Sequence, residues 1–212
     1  MKQPPSLNPS PVFGGGNVHR ASVVALACAV FACAVLACAE PEKLNAATLP
    51  AFGETDAAYF DDGVDLVRDP QGVGGLWQQD WERELGERVT RGDLVAVGRL
   101  HTLRTDLDLD RRTSYRLVMS IERTLKGEEP NGDLTLVSRE GARGYASVHG
   151  NHEAMLEQRF VVFAKRYRDA VGGIVTHWHL SPASDVVLNL AQSKLEAASP
   201  AYREVRVIER RE

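Results

Sequence analysis

Two short stretches hold residue types that could bind a metal ion or move a proton. "HWHLS" puts His177 and His179 two positions apart, a spacing that sets both side chains on one face of a β-strand. "HGNHE" adds His149, His152 and Glu153. Imidazole nitrogens and carboxylates are ordinary ligands of zinc. If the fold brought His149, His152 or Glu153 beside His177 and His179, the chain would be a metal-binding protein or a metal-dependent enzyme. Neither stretch completes a known motif. His152-Glu153 is followed at the required spacing by Leu156 rather than by the second histidine of H-E-x-x-H. Histidines satisfied by water or backbone are the alternative reading. "DLDLDRR" places Asp106, Asp108 and Asp110 like the first ligands of a calcium loop, but Arg111 stands where that loop needs Gly and Leu117 where it needs Glu. A charged hairpin tip that discourages edge pairing accounts for it. No nucleophile elbow, P-loop or dinucleotide glycine pattern occurs in the chain. No catalytic residue and no cofactor is assigned, and the expectation is a non-enzymatic protein.

All three cysteines, Cys28, Cys33 and Cys38, lie in "ASVVALACAVFACAVLACAE". Their five-residue spacing turns each off the helical face of the last, and no cysteine follows to complete a zinc knuckle. His19 and Arg20 precede an uncharged apolar run, and Glu40, Pro41 and Glu42 follow it. That order of basic, apolar and small residues is a secretory signal; the run is somewhat short for a spanning helix, which needs roughly 20 residues. Its end, Val35-Leu36-Ala37-Cys38, resembles the lipobox of bacterial lipoproteins. The resemblance implies that residues 1–37 are removed, and that Cys38 is lipidated and becomes the mature N-terminus. It implies a bacterial cell-envelope protein, held to a membrane by lipid and facing periplasm or cell surface. An ordinary cleaved signal, or an uncleaved anchor, is the alternative. In front of Val18 stands "MKQPPSLNPSPVFGGGN", unlike the short n-region of a signal. Residues 1–17 therefore read as a misplaced start, with Val18 initiating at a GTG codon.

The chain has 25 basic and 29 acidic residues; losing Lys2 and Arg20 with the signal leaves 23 against 29. Eight acids fall in residues 40–69 (Glu40, Glu42, Glu54, Asp56, Asp61, Asp62, Asp65, Asp69), against Lys43 and Arg68. With its prolines and glycines and no clean period, residues 38–75 read as an acidic flexible tether. The remainder is neutral and offers no basic face for nucleic acid; the partners expected are the membrane, through the lipid, and an envelope protein.

The elements that would position the histidines follow. In residues 76–91, Trp77, Trp81, Leu85 and Val89 recur every fourth residue, the stripe of an amphipathic helix. Its acid-rich polar face favours packing on the protein's own domain over a membrane surface. From residue 93 the period becomes two. Strands are expected over 93–104, 114–127, 133–140, 159–167 and 174–181, with a short helix around His152 to Gln158. Tyr115, Leu117, Met119 and Ile121 share one face of the second strand. In the fifth, Ile174, Thr176, Trp178 and Leu180 point inward and His177 and His179 outward. Residues 183–212 hold a helix capped by Ser181 or Ser184, then a tail with a possible edge strand in "EVRVIER".

Three strands, a short helix and two strands is the connectivity of an OB-fold. The fold class expected is mainly β: a five-stranded barrel over residues 92–182 with flanking amphipathic helices. "GDLVAVGRL", "YRLVMSIERTLKG", "LTLVSREG" and "RFVVFAKR" together resemble the barrel of tissue-inhibitor-of-metalloproteinase and netrin-like (NTR) domains. An immunoglobulin-like sandwich is the alternative. The inhibitors rely on disulfides and on a free N-terminal cysteine. The barrel here has no cysteine and Cys38 would be acylated, so protease inhibition is not implied.

Overall fold

The computed structural model describes residues 45–72, 74–107 and 111–198. The signal, Val18, Cys38, Asp108, Asp110 and the "EVRVIER" tail lie outside the described residues. The protein is mainly β. A six-stranded sheet runs β1-β6-β5-β2-β3-β4, with β1 Gly63–Val64, β2 Leu94–Leu107, β3 Thr113–Lys126, β4 Leu134–Arg139, β5 Arg159–Arg168 and β6 Ile174–Pro182. All neighbours are antiparallel except β1, which lies parallel to β6 with Gly63 opposite His179 and Val64 opposite Leu180. The helices are α1 Glu54–Ala57, α2 Gly75–Arg91, α3 Tyr145–Met155 and α4 Asp185–Ala198. Among the described residues no helix is long and apolar enough to cross a membrane.

The sheet curls because its longest pair is irregular. Three register shifts interrupt the β2–β3 ladder, and each bulge bends and twists the strand that carries it. The two ends of the sheet come within hydrogen-bonding reach. Ser138 Oγ of β4 donates to the carbonyl of Asp62, just ahead of β1, at 2.7 Å, and the indole of Trp178 in β6 donates to Val137 O at 3.2 Å. A second apposition joins β1 to the α3 entry. Gly144 N donates to Asp61 O at 2.7 Å, and a Cβ on Gly144 would collide with the backbone of Gly63.

Two apolar clusters occupy the two faces. Inside the curl, Leu100, Tyr115, Leu117, Met119, Leu136, Phe160, Val162, Trp178 and Leu180 pack with Val148 and Met155 of α3. Ile121 joins at the edge, so the expected alternation along β3 holds. On the outer face, Val95, Val161, Phe163 and Tyr167 pack under Trp81, Leu85 and Val89 of α2, Val187 and Ala191 of α4, and Phe60. Burying each such large side chain contributes roughly 1.5–3 kcal/mol. Strand β5 serves both clusters, which is why its sequence is apolar without a break.

Three expectations change, and of the two caps expected for the last helix one is selected. The sheet has six strands rather than five, because Gly63–Val64 adds an edge to β6. Residues 45–72 are not a free tether: Phe60 is fully buried, Val64 nearly so, and backbone bonds tie Asp62 N to Trp178 O and Asp65 N to Leu180 O. Phe60 and Val64 anchor the segment despite its charge. The helix before β5 covers Tyr145–Met155 and stops where Glu157 takes a left-handed φ of 63°. Ser184 caps α4, accepting from Val187 N at 3.3 Å, while Ser181 belongs to β6.

Candidate functional site

The buried ionisable side chains, Asp62, Arg88 and His179, gather where residues 61–65 cross β6. Strand β6 sends Trp178 and Leu180 into the inner cluster, so its period of two sends His177 and His179 to the other face. That face is covered. The segment ahead of β1 lies over it, and His179 is 4% exposed. The outward placement was right for the sheet, but solvent is excluded by a layer the sequence did not reveal.

Each histidine meets its own carboxylates. His177 Nδ1 lies 2.8 Å from Asp62 Oδ2, and Asp62 Oδ1 accepts from Trp178 N at 3.1 Å. Asp62 sits at a left-handed φ of 58°, a conformation Asp tolerates better than most residues. His179 uses both ring nitrogens: Nδ1 is 2.8 Å from Asp61 Oδ1 and Nε2 is 3.1 Å from Asp65 Oδ2. Ser181 Oγ donates to the same Asp65 oxygen at 2.6 Å, and Val67 N donates to its other oxygen at 3.1 Å. Arg88, on the buried stripe of α2, donates from Nε to Tyr59 O at 3.1 Å and from Nη2 to Glu84 at 3.2 Å. Its charge also acts on Asp65 and Asp61.

The electrostatics follow from burial set against partners. Burial opposes a charged His179, and so does Arg88, but hydrogen bonds to Asp61 and Asp65 outweigh both and raise its pKa. An imidazole held between two carboxylates donates from both nitrogens and is therefore the imidazolium. Burial pushes Asp61 and Asp65 up, yet His179 overrides it and both lie below the usual carboxylate value. For Asp62 burial prevails over His177, and its pKa is raised. Burial lowers Arg88, which nonetheless stays charged.

Such a network holds chain segments together. In its imidazolium form His179 has no lone pair for a metal or a proton in transit. Ser181 donates to the Asp65 carboxylate rather than to a histidine, so it is not part of a Ser–His pair. The face of His177 is closed by Phe52, stacked at 3.6 Å between centroids; its edge reaches a shallow cleft with Ala51, Arg168 and Val175.

The other histidines have different partners. His149 Nδ1 lies 2.7 Å from the Tyr115 hydroxyl and its ring stacks on Tyr145. His152 stacks on Tyr115 and donates from Nδ1 to His149 O at 2.8 Å. Glu153 is exposed on α3. Among the described residues no group of three or more His, Cys, Asp or Glu is arranged to hold a metal ion.

Asp61, Asp62, Asp65 and Arg88 are the members that the sequence reading missed. A signal existed: "YFDDGVDLV" sets three acids among the apolar residues Phe60, Val64, Leu66 and Val67, and Arg88 falls beside the Trp81–Leu85–Val89 stripe. A cation on an apolar face and acids among buried positions call for one another. Fold and site together define a mainly β protein with a curled sheet and an internal carboxylate–histidine–arginine network. Comparison with protein-family models, curated proteins and solved structures finds no match to the chain.

Proposed function

We propose that the chain is a lipid-anchored protein of the bacterial cell envelope and works there as a non-catalytic binding or structural module. The observation that carries the non-catalytic part is His179, whose two nitrogens are both committed to carboxylates. The anchor rests on the order of basic residues, apolar run and Val35-Leu36-Ala37-Cys38. The barrel reading draws support from strand order: β4-β3-β2-β5-β6 with a helix between β4 and β5 is the order of an OB-fold opened between its third and fifth strands. The NTR-like resemblance stands on the same strands. In this reading residues 45–72 form a strap whose β1 occupies the place where such a barrel would close. Lipid at Cys38 would hold the strap, and through it the sheet, close to the membrane.

In-cell cross-linking of the wild-type chain and of Cys38→Ser tests this reading. A module acting at the envelope gives cross-linked species for the wild type that the unanchored variant loses. The same species from both chains, or none from either, would overturn it.

A further inference from the structure

A second feature lies away from the network. Where the strap, β2, β5 and the α4 entry converge, a cleft of about 370 Å³ opens to solvent. Three arginines line it, Arg68 from the strap, Arg99 from β2 and Arg159 from β5, together with apolar Leu66 and Pro182. Leu66 is left 45% exposed there.

The arginines are only partly satisfied. Arg159 Nε donates to Glu122 at 2.8 Å, and Arg99 Nε lies 3.6 Å from the other oxygen of the same carboxylate. Arg99 Nη1 donates to Glu157 O at 3.2 Å, and Arg68 Nη2 donates to Gln158 Oε1 at 3.2 Å. One carboxylate thus serves two arginines through their Nε edges. Among the described residues no hydrogen bond reaches either terminal nitrogen of Arg159, Nη2 of Arg99 or Nη1 of Arg68. The one acidic side chain lining the cleft is Glu157, so the lining carries a positive excess in a chain whose formal charge is −4. Guanidinium forks suit planar or tetrahedral oxyanions, and a volume of this size is that of a small-molecule site.

We propose that this cleft binds a phosphate monoester with a small apolar body. The phosphate lies among Arg68, Arg99 and Arg159, and the apolar part rests on Leu66 and Pro182. Three cations approaching from three elements match the three terminal oxygens of a phosphate monoester better than a single carboxylate. The reading goes beyond the anchor and does not need it, since the cleft is built from folded elements alone.

The test uses the full chain solubilised in detergent, titrated with phenyl phosphate, inorganic phosphate and phenol while arginine Nε–H resonances are followed. Phenyl phosphate should shift Arg68, Arg99 and Arg159 saturably, at least about tenfold more tightly than inorganic phosphate, the ring supplying the difference. Phenol should not bind. Arg68→Gln and, separately, Arg159→Gln should each weaken phenyl phosphate by about tenfold with melting temperature unchanged. Competition by phosphatidic acid dispersed in the same detergent micelles would mark a lipid headgroup as the source; binding indifferent to it would mark a soluble ester, and either supports the site. Non-saturating shifts, equal response to phenyl and inorganic phosphate, or affinity unmoved in both variants would overturn it. Because detergent removes the membrane from the readout, failure here is separate from failure of the anchor.

Discussion

His179 shows most directly how single residues hold this molecule together. Replacing it by Ala leaves Asp61 and Asp65 buried against Arg88 without their shared proton donor. Removing one partner of a buried ion pair costs about 3–5 kcal/mol, so denaturant unfolding of His179→Ala should show a loss in that range. The pH dependence has a definite sign. The raised pKa of His179 means that its contribution is whole below the ordinary 6.5 and is lost as pH rises through the folded value. Asp61 and Asp65, held below 3.8, contribute above that value and lose their contribution as pH falls through their folded pKa. Asp62, raised by burial, works the opposite way in the acid range. Thermal melts should therefore show wild-type stability declining from neutral pH upward, while His179→Gln is weaker at neutral pH and flatter above it. Equal slopes in the two proteins would show that His179 does not carry the dependence. The histidine pair was legible from its spacing, but its partners lie more than a hundred residues away in a segment whose composition reads as solvated.

At the scale of elements, apolar patterning located all five long strands: β3 and β4 bury alternate residues, whereas β5 is buried on both faces and is apolar without a break. It reached furthest on β3, where Met119 is fully buried and Ser120 is half-buried on the opposite side. Met119→Asp should abolish folding by burying a carboxylate, whereas Ser120→Asp should retain the wild-type circular dichroism spectrum; equal damage from both would refute the register. The strap and the start of α3 were less legible than the long strands, because part of their anchoring is backbone contact among Asp61, Gly63 and Gly144, which leaves no periodic side-chain pattern. Gly144 illustrates it. A Cβ there meets the Gly63 backbone, which cannot move aside as a flexible side chain would. Gly144→Ala should cost about 1–3 kcal/mol by overpacking, and hydrogen exchange should report the loss first at Val64 and Asp65. Unchanged protection at those amides would mean that the apposition is not tight in solution.

For the whole molecule, the proposal joins an N-terminal lipid to a barrel-like sheet through a strap that is itself part of the fold. Cell fractionation carries the consequence of the proposed start site. A gene beginning at the codon for Val18 should yield the same anchored product in the same amount, because Arg20 and the apolar run remain; loss of the anchored product would show that residues 1–17 are needed. The central claim is the lipid on Cys38, and N-terminal mass spectrometry of the envelope-purified protein reads it most directly. The account predicts that the first peptide begins at Cys38 and carries the added mass of a diacylglyceryl group. A mature chain in which Ala37 is still joined to an unmodified Cys38, or whose N-terminus lies beyond it, would contradict the account.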